Sequence, residues 1–290
     1  MVDASARVLR RSMDVDGVRV FYRESRPERV DAPVLLLLHG FPSASHQYRR
    51  LIDVLGARYR LIAPDYPGSG YTEAPDRFDF SFDRLADVVE GFVQRAGLDR
   101  FAMYVFDFGA PVGFRIAERH PEWISGLIVQ NGNAYDEGLG DALRHLVGLR
   151  PEMPGAADTV SEFLTASATR SQYETGVTDT ELLDPDSWTL DQHFLDLTGR
   201  KEAQAALLFD YHSNVERYDG WQSWLRAHTP PTLIVWGRHD PFFSAAGAQA
   251  YLNDVPHAEL HLFDTGHFAL ETHLRRIAPL IADFLDRTAV

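Results

Sequence analysis

Four short stretches of the chain carry residue types that could do chemistry, and each directly follows an apolar run. They are His39-Gly40-Phe41-Pro42, Asp107-Phe108-Gly109, Gly237-Arg238-His239-Asp240 and Gly266-His267-Phe268. In chain order the last three offer a potential nucleophile, an acid and a histidine, the order of a triad suited to nucleophilic catalysis. Asp107 stands at the apex of YVFDFGAPVG (104–113), between an apolar run and a glycine-bearing turn. A carboxylate attacking an ester or amide carbonyl would form a reactive mixed anhydride, whereas one attacking an sp3 carbon forms a stable ester. The electrophile expected is therefore a saturated carbon, either a strained epoxide carbon or one bearing halide.

Plainer roles compete at each position. Asp107 alone would serve as a turn residue or helix N-cap; the company of Asp240 and His267 favours the chemical role. His39 reads as a packing residue that holds its loop, and His239 as a loop residue. His193, His257 and His261 lack ligand-like spacing, so no metal site is expected. The glycines of DYPGSG (65–70) match neither a dinucleotide fingerprint nor a P-loop and read as turn residues. No cofactor is expected.

These residues need elements to position them. Six apolar runs recur, VLLLL (34–38), RLIAP (60–64), FAMYVF (101–106), ISGLIVQ (124–130), TLIVWG (232–237) and ELHLFD (259–264). Near-continuous apolar strands are buried on both faces, as in a parallel sheet covered by helices, and ligands of such sheets bind beyond the carboxyl ends of the strands. Phe82, Leu85, Ala86, Val89, Phe92 and Val93 recur at helical spacing, with Ser81 as N-cap and Gly97 as stop. The segments before residue 25 read as an edge hairpin about Asp16-Gly17. Between Gln130 and Thr232 no strand is evident, and a structureless loop of that length is improbable. Residues 134–226 are expected to form a helical cap inserted into a core of residues 1–133 and 227–290.

On HGFP (39–42), DYPGSG (65–70), VFDFG (105–109), WGRHDPF (236–242) and DTGHF (264–268), the chain resembles the α/β-hydrolase superfamily, in its epoxide hydrolase and haloalkane dehalogenase branch. The resemblance spans essentially the whole chain and implies an α/β fold with a mostly parallel eight-stranded sheet. It makes Asp107 the nucleophile, His267 the base and Asp240 the acid that orients it, with the backbone N–H groups of Phe41 and Phe108 as the oxyanion hole. Epoxide hydrolases supply protons from two cap tyrosines; Tyr211, 29 residues before Asp240, fits one of them. Residues 148–160, where family spacing places the second, contain no tyrosine, and Tyr173 is taken for it. Dehalogenases hold halide with a tryptophan after the nucleophile and an asparagine after the HG pair or a cap tryptophan; the first two positions here are Phe108 and Phe41. Val105 stands where glycine is usual two residues before the nucleophile. Asn214 and Tyr218 share a helical face with Tyr211, and with Asn131, Tyr135 and Phe268 they are candidate substrate contacts.

Composition narrows the rest. The 290 residues are 45% hydrophobic and 24% charged, with a net charge of −14 and no cysteine. This excludes disulfides, thiolate nucleophiles and cysteine-ligated zinc, and argues against nucleic-acid binding, which needs clustered Lys and Arg. No run approaches the ~18 apolar residues of a membrane span, and no secretory signal is expected, so a cytoplasmic location follows. The expected activity is epoxide hydrolysis of a hydrophobic small molecule to a diol. A dehalogenase is the alternative, and a non-hydrolytic binding protein on the same fold is the alternative of another class. Monomer and homodimer both stay open.

Overall fold

The computed structural model describes residues 6–288. The limits of the expected core at residues 1 and 290, and the first five residues of the stretch read for a secretory signal, lie outside the described residues. Strands β1 (Val8–Val15) and β2 (Val18–Ser25) form the expected hairpin, with Asp16 and Gly17 both at positive φ as a tight two-residue turn requires. The six apolar runs follow as β3 (Val34–Leu38), β4 (Arg60–Pro64), β5 (Phe101–Phe106), β6 (Ile124–Gln130), β7 (Thr232–Gly237) and β8 (Glu259–Phe263). All eight join one sheet in the order β1-β2-β4-β3-β5-β6-β7-β8. The β1–β2 and β2–β4 pairs are antiparallel, the rest parallel. The fully buried central strands explain why their sequences lack alternation.

Helices α1 (Arg49–Leu55), α2 (Phe82–Arg95) and α3 (Gly109–Arg119) cover the sheet. The apolar stripe read from the sequence is the buried face of α2, and the Ser81 hydroxyl accepts from the Arg84 N–H at its start. Between β6 and β7 the chain is helical, as α4 (Asp141–Gly148), α5 (Ala156–Glu162), α6 (Ala166–Glu174), α7 (Pro185–Leu195), α8 (Arg200–Phe209), α9 (His212–Val215) and α10 (Tyr218–His228). Helices α11 (Ala245–Asp254) and α12 (Ala269–Thr288) complete the layers. No described helix is long and apolar enough to cross a membrane.

The strand-to-helix turn after β5 depends on close approach. A Cβ at Gly109 would collide with the Leu38 carbonyl of the neighbouring strand, so only glycine lets α3 start there. Val105, read from the sequence as a departure from the usual glycine, is accommodated by the helix that follows. Its Cγ1 lies 2.6 Å from where a Cβ on Gly113 would be, so a missing side chain on α3 makes room for the extra one on β5.

Candidate active site

Asp107 sits at φ 49°, a left-handed conformation that costs a non-glycine residue energy and lifts its side chain out of the turn above the sheet. Gly40 on the adjacent loop leaves the space that the carboxylate fills. Oδ1 accepts a 2.6 Å hydrogen bond from the Phe41 N–H, and the Phe108 N–H also stabilises the carboxylate. Oδ2 lies 3.8 Å from His267 Nε2. That nitrogen is buried with no hydrogen-bond partner, while Nδ1 is 2.7 Å from Asp240 Oδ2. The three groups predicted from three distant strand ends are therefore assembled in one line.

Burial sets the electrostatics. Asp107 is 7% exposed, and desolvation lifts its pKa from 3.8 to about 6 against the pull of His267 and the two N–H donors. For His267 burial favours the neutral form, but Asp240 and Asp107 outweigh it and the pKa ends above the ordinary histidine value. Rings of Phe106, Phe242, Phe243 and Phe268 enclose the imidazole at 4.6–5.9 Å between centroids. Phe268, expected to contact substrate, thus packs against the His267 imidazole, and it also stacks on Tyr173 at 3.9 Å.

Asn131, at φ 42°, was expected against substrate; the structure gives its amide a different task. Its Nδ2 donates to Asp240 Oδ2 at 2.7 Å and its Oδ1 accepts from the Gly237 N–H at 3.0 Å. With the Phe242 N–H on Oδ1, Asp240 is held from three sides, counting the imidazole. His39 behaves as a packing residue. It stacks on Tyr66, Nδ1 pairs with the Gly40 carbonyl and Nε2 accepts from the Tyr66 N–H, while burial lowers its pKa to about 4 and keeps it neutral.

The tyrosines divide. Tyr211 is buried against Phe108 and Phe82, and burial, Tyr218 and the Asp107 charge all hold its phenol well above the ordinary tyrosine pKa. Neighbours on its own segment fix it: Asp210 accepts from the Phe82 N–H at 2.8 Å, and Asn214 Oδ1 accepts from Arg115 at 2.7 Å. Asn214, expected against substrate, thus anchors the segment to α3 through its amide oxygen, while its Nδ2 is buried with no hydrogen-bond partner. Arg115, buried and also bound to Asp83 and Ser213, was not foreseen, because nothing local marks an arginine of α3 as the dock for residues a hundred positions away. Tyr173 differs from expectation too. Its hydroxyl donates to Asp191 on α7, whose other oxygen is 2.8 Å from His46, so the phenol proton is engaged by a buried carboxylate. Tyr135 donates to Asp254 on α11, outside the site. Tyr218 accepts from Asn133 Nδ2 at 3.0 Å. Among the described residues no cluster of three or more His, Asp or Glu could hold a metal.

Residues 33–274 match the family model of the alpha/beta hydrolase fold. The chain belongs to the α/β-hydrolase family. An uncharacterized hydrolase of Saccharomyces cerevisiae is 42% identical to this α/β-hydrolase over 268 residues, covering 91% of this chain and 92% of the yeast protein. Epoxide hydrolase 3 of Xenopus tropicalis is 25% identical over 284 residues, 94% of this chain and 76% of that protein. Among solved structures, a loop variant of a haloalkane dehalogenase from Bradyrhizobium elkanii superposes with a TM-score of 0.78 at 21% identity, over 97% of each chain. The eight-stranded sheet and the family membership expected from the sequence are thereby shown, and the protein is an enzyme, a hydrolase of this family.

Proposed function

We propose that this α/β-hydrolase opens epoxides through a covalent ester on Asp107, with residues 134–226 acting as a cap over the core. Asp107 Oδ2 attacks an epoxide carbon while Tyr211 donates its proton to the departing ring oxygen. His267 then takes a proton from water, the hydroxide adds to the Asp107 carboxyl carbon, and Asp240 holds the imidazole with Nε2 free to act as base. The oxyanion formed in that step falls on Oδ1, already held by the Phe41 N–H, with the Phe108 N–H also stabilising charge on the carboxyl group. Collapse expels the diol and restores the carboxylate.

The observation that carries this reading is a desolvated carboxylate whose charge bears on the buried phenol of Tyr211, which packs on the rings of Phe82 and Phe108. A departing alkoxide needs a proton, which a phenol gives. A departing halide needs N–H donors, and the phenylalanines at 41 and 108 offer no such side chain, which sets dehalogenation second. The aromatic walls suit a hydrophobic, uncharged substrate, and a cytoplasmic location is part of the same proposal.

The test is intact mass of His267→Gln after incubation with aryl epoxides and haloalkanes. An adduct of the whole epoxide mass on Asp107 is the expected result. An adduct lacking halogen would replace this reading with dehalogenation, and no adduct from any compound would remove the aspartyl ester in favour of a binding role.

A further inference from the structure

The proposed reading, on which this inference rests, uses His267 only in the second step, when water attacks the ester on Asp107. The base rides on the loop between β8 and α12, and β8 is an edge strand of the sheet. One tie to that loop comes from two strands further in. Gln130 closes β6, a strand apolar from Gly126 to Val129, and is fully buried. Its Nε2 donates to the His267 carbonyl at 3.3 Å, which also accepts from the Ala269 N–H at 3.0 Å. Its Oε1 accepts from the hydroxyl of Tyr104, a buried residue of β5 three positions before Asp107. A carbonyl can only accept, so the amide has one orientation, nitrogen to His267 and oxygen to Tyr104. Phe106, which pairs with Gln130 across β5 and β6, packs its ring on the imidazole at 4.6 Å. Main chain and side chain of the base are thus both seated on the same two strands.

The next residue does the same for the acid. Asn131 turns at φ 42° and gives its amide to Asp240. Two consecutive amides at the end of β6 therefore serve the two partners of one hydrogen bond, His267 Nδ1 to Asp240 Oδ2 at 2.7 Å. An amide and a phenol are costly to bury, and pairing them stabilises the fold little more than two apolar side chains of the same shape would. What apolar side chains could not supply is a donor for the His267 carbonyl. We infer that Gln130, held by Tyr104, is a positioning residue for the base: it fixes the His267 main chain so that Nε2 meets the water that hydrolyses the Asp107 ester, and it takes no part in forming that ester.

The test uses the full-length protein and an aryl epoxide that labels His267→Gln. Combining Tyr104→Phe with Gln130→Met removes donor and acceptor together at nearly constant shape, which lets the chain fold. In the His267→Gln background this pair of changes should leave the rate of ester formation within about twofold. With His267 intact, decay of the ester after a single turnover, followed by intact mass on quenched samples, should slow about tenfold or more. Tyr104→Phe with Gln130→Leu carries the test if the methionine version does not fold. In the ligand-free protein the Nδ1 proton of His267, seen by NMR, should exchange with solvent about tenfold faster in the double variant. Formation and decay slowed by the same factor would reduce the pair to packing, and unchanged decay would overturn the brace. If no epoxide labels His267→Gln, the parent reading fails and the Nδ1 proton decides alone: faster exchange keeps Gln130 as the brace of the base, and unchanged exchange removes it.

Discussion

Replacing Asp107 by asparagine should abolish turnover and make the folded protein more stable. The carboxylate is desolvated so strongly that its pKa rises from 3.8 to about 6, a gap of about two units at 1.36 kcal/mol each, or about 3 kcal/mol of native-state cost for the ionised form. The sign follows from linkage. A carboxyl whose folded pKa lies above its unfolded value contributes stability that is fully present below pH 3.8 and lost as the pH rises through about 6. Asparagine carries no such cost, keeps an oxygen for the Phe41 N–H and presents an amide N–H to the bare Nε2 of His267. The variant should therefore exceed the wild type by about 3 kcal/mol at pH 8 and by about half of that at pH 5. Urea unfolding at the two pH values measures the difference, which at pH 8 should move the midpoint by about 1 M. A variant no more stable than wild type at pH 8, or a gain that does not shrink at pH 5, would refute the desolvated nucleophile.

Tyr211→Phe should slow labelling of the His267→Gln protein by an epoxide about 100-fold and by a haloalkane hardly at all; equal rates on the epoxide would remove Tyr211 from the reaction. Asn131→Ala leaves Asp240 short of a donor and should cost roughly 10- to 100-fold in kcat, with a loss under twofold ruling out the clamp. Tyr173→Phe should destabilise the fold by about 1–3 kcal/mol, since Asp191 loses a buried donor, while epoxide labelling stays within about twofold; a large loss of labelling would put Tyr173 back among the proton donors.

Most of the sheet could be read from the sequence because the six runs are continuous and bounded by turn residues. Asp107, Asp240 and His267 could be singled out together because each lies in the turn that follows a strand, and the structure brings the three side chains side by side. What stayed hidden depends on pairings between distant elements. Asn131 looked like a substrate contact from its place after β6; only the registry of β6 against β7 shows that it faces Asp240. Tyr173 reads as a proton donor until α7 is seen to bring Asp191 to its hydroxyl. Asn214 shares a face with Tyr211 by periodicity, and only the tertiary structure shows its amide oxygen accepting from Arg115 on α3. Val105 reads as a departure only until Gly113, on the next helix, is seen to absorb it.

The seating of Oδ1 in the resting enzyme has an isotopic consequence. The two carboxylate oxygens of Asp107 are made inequivalent, one tied to the Phe41 N–H and the other turned to His267. On the proposed route, with the first oxygen fixed, only the second would join the substrate and leave in the diol, and the incoming solvent oxygen would take its place. After many turnovers in oxygen-18 water, Asp107 should then carry one heavy oxygen, not two, and the first diol released should carry an oxygen that came from the protein.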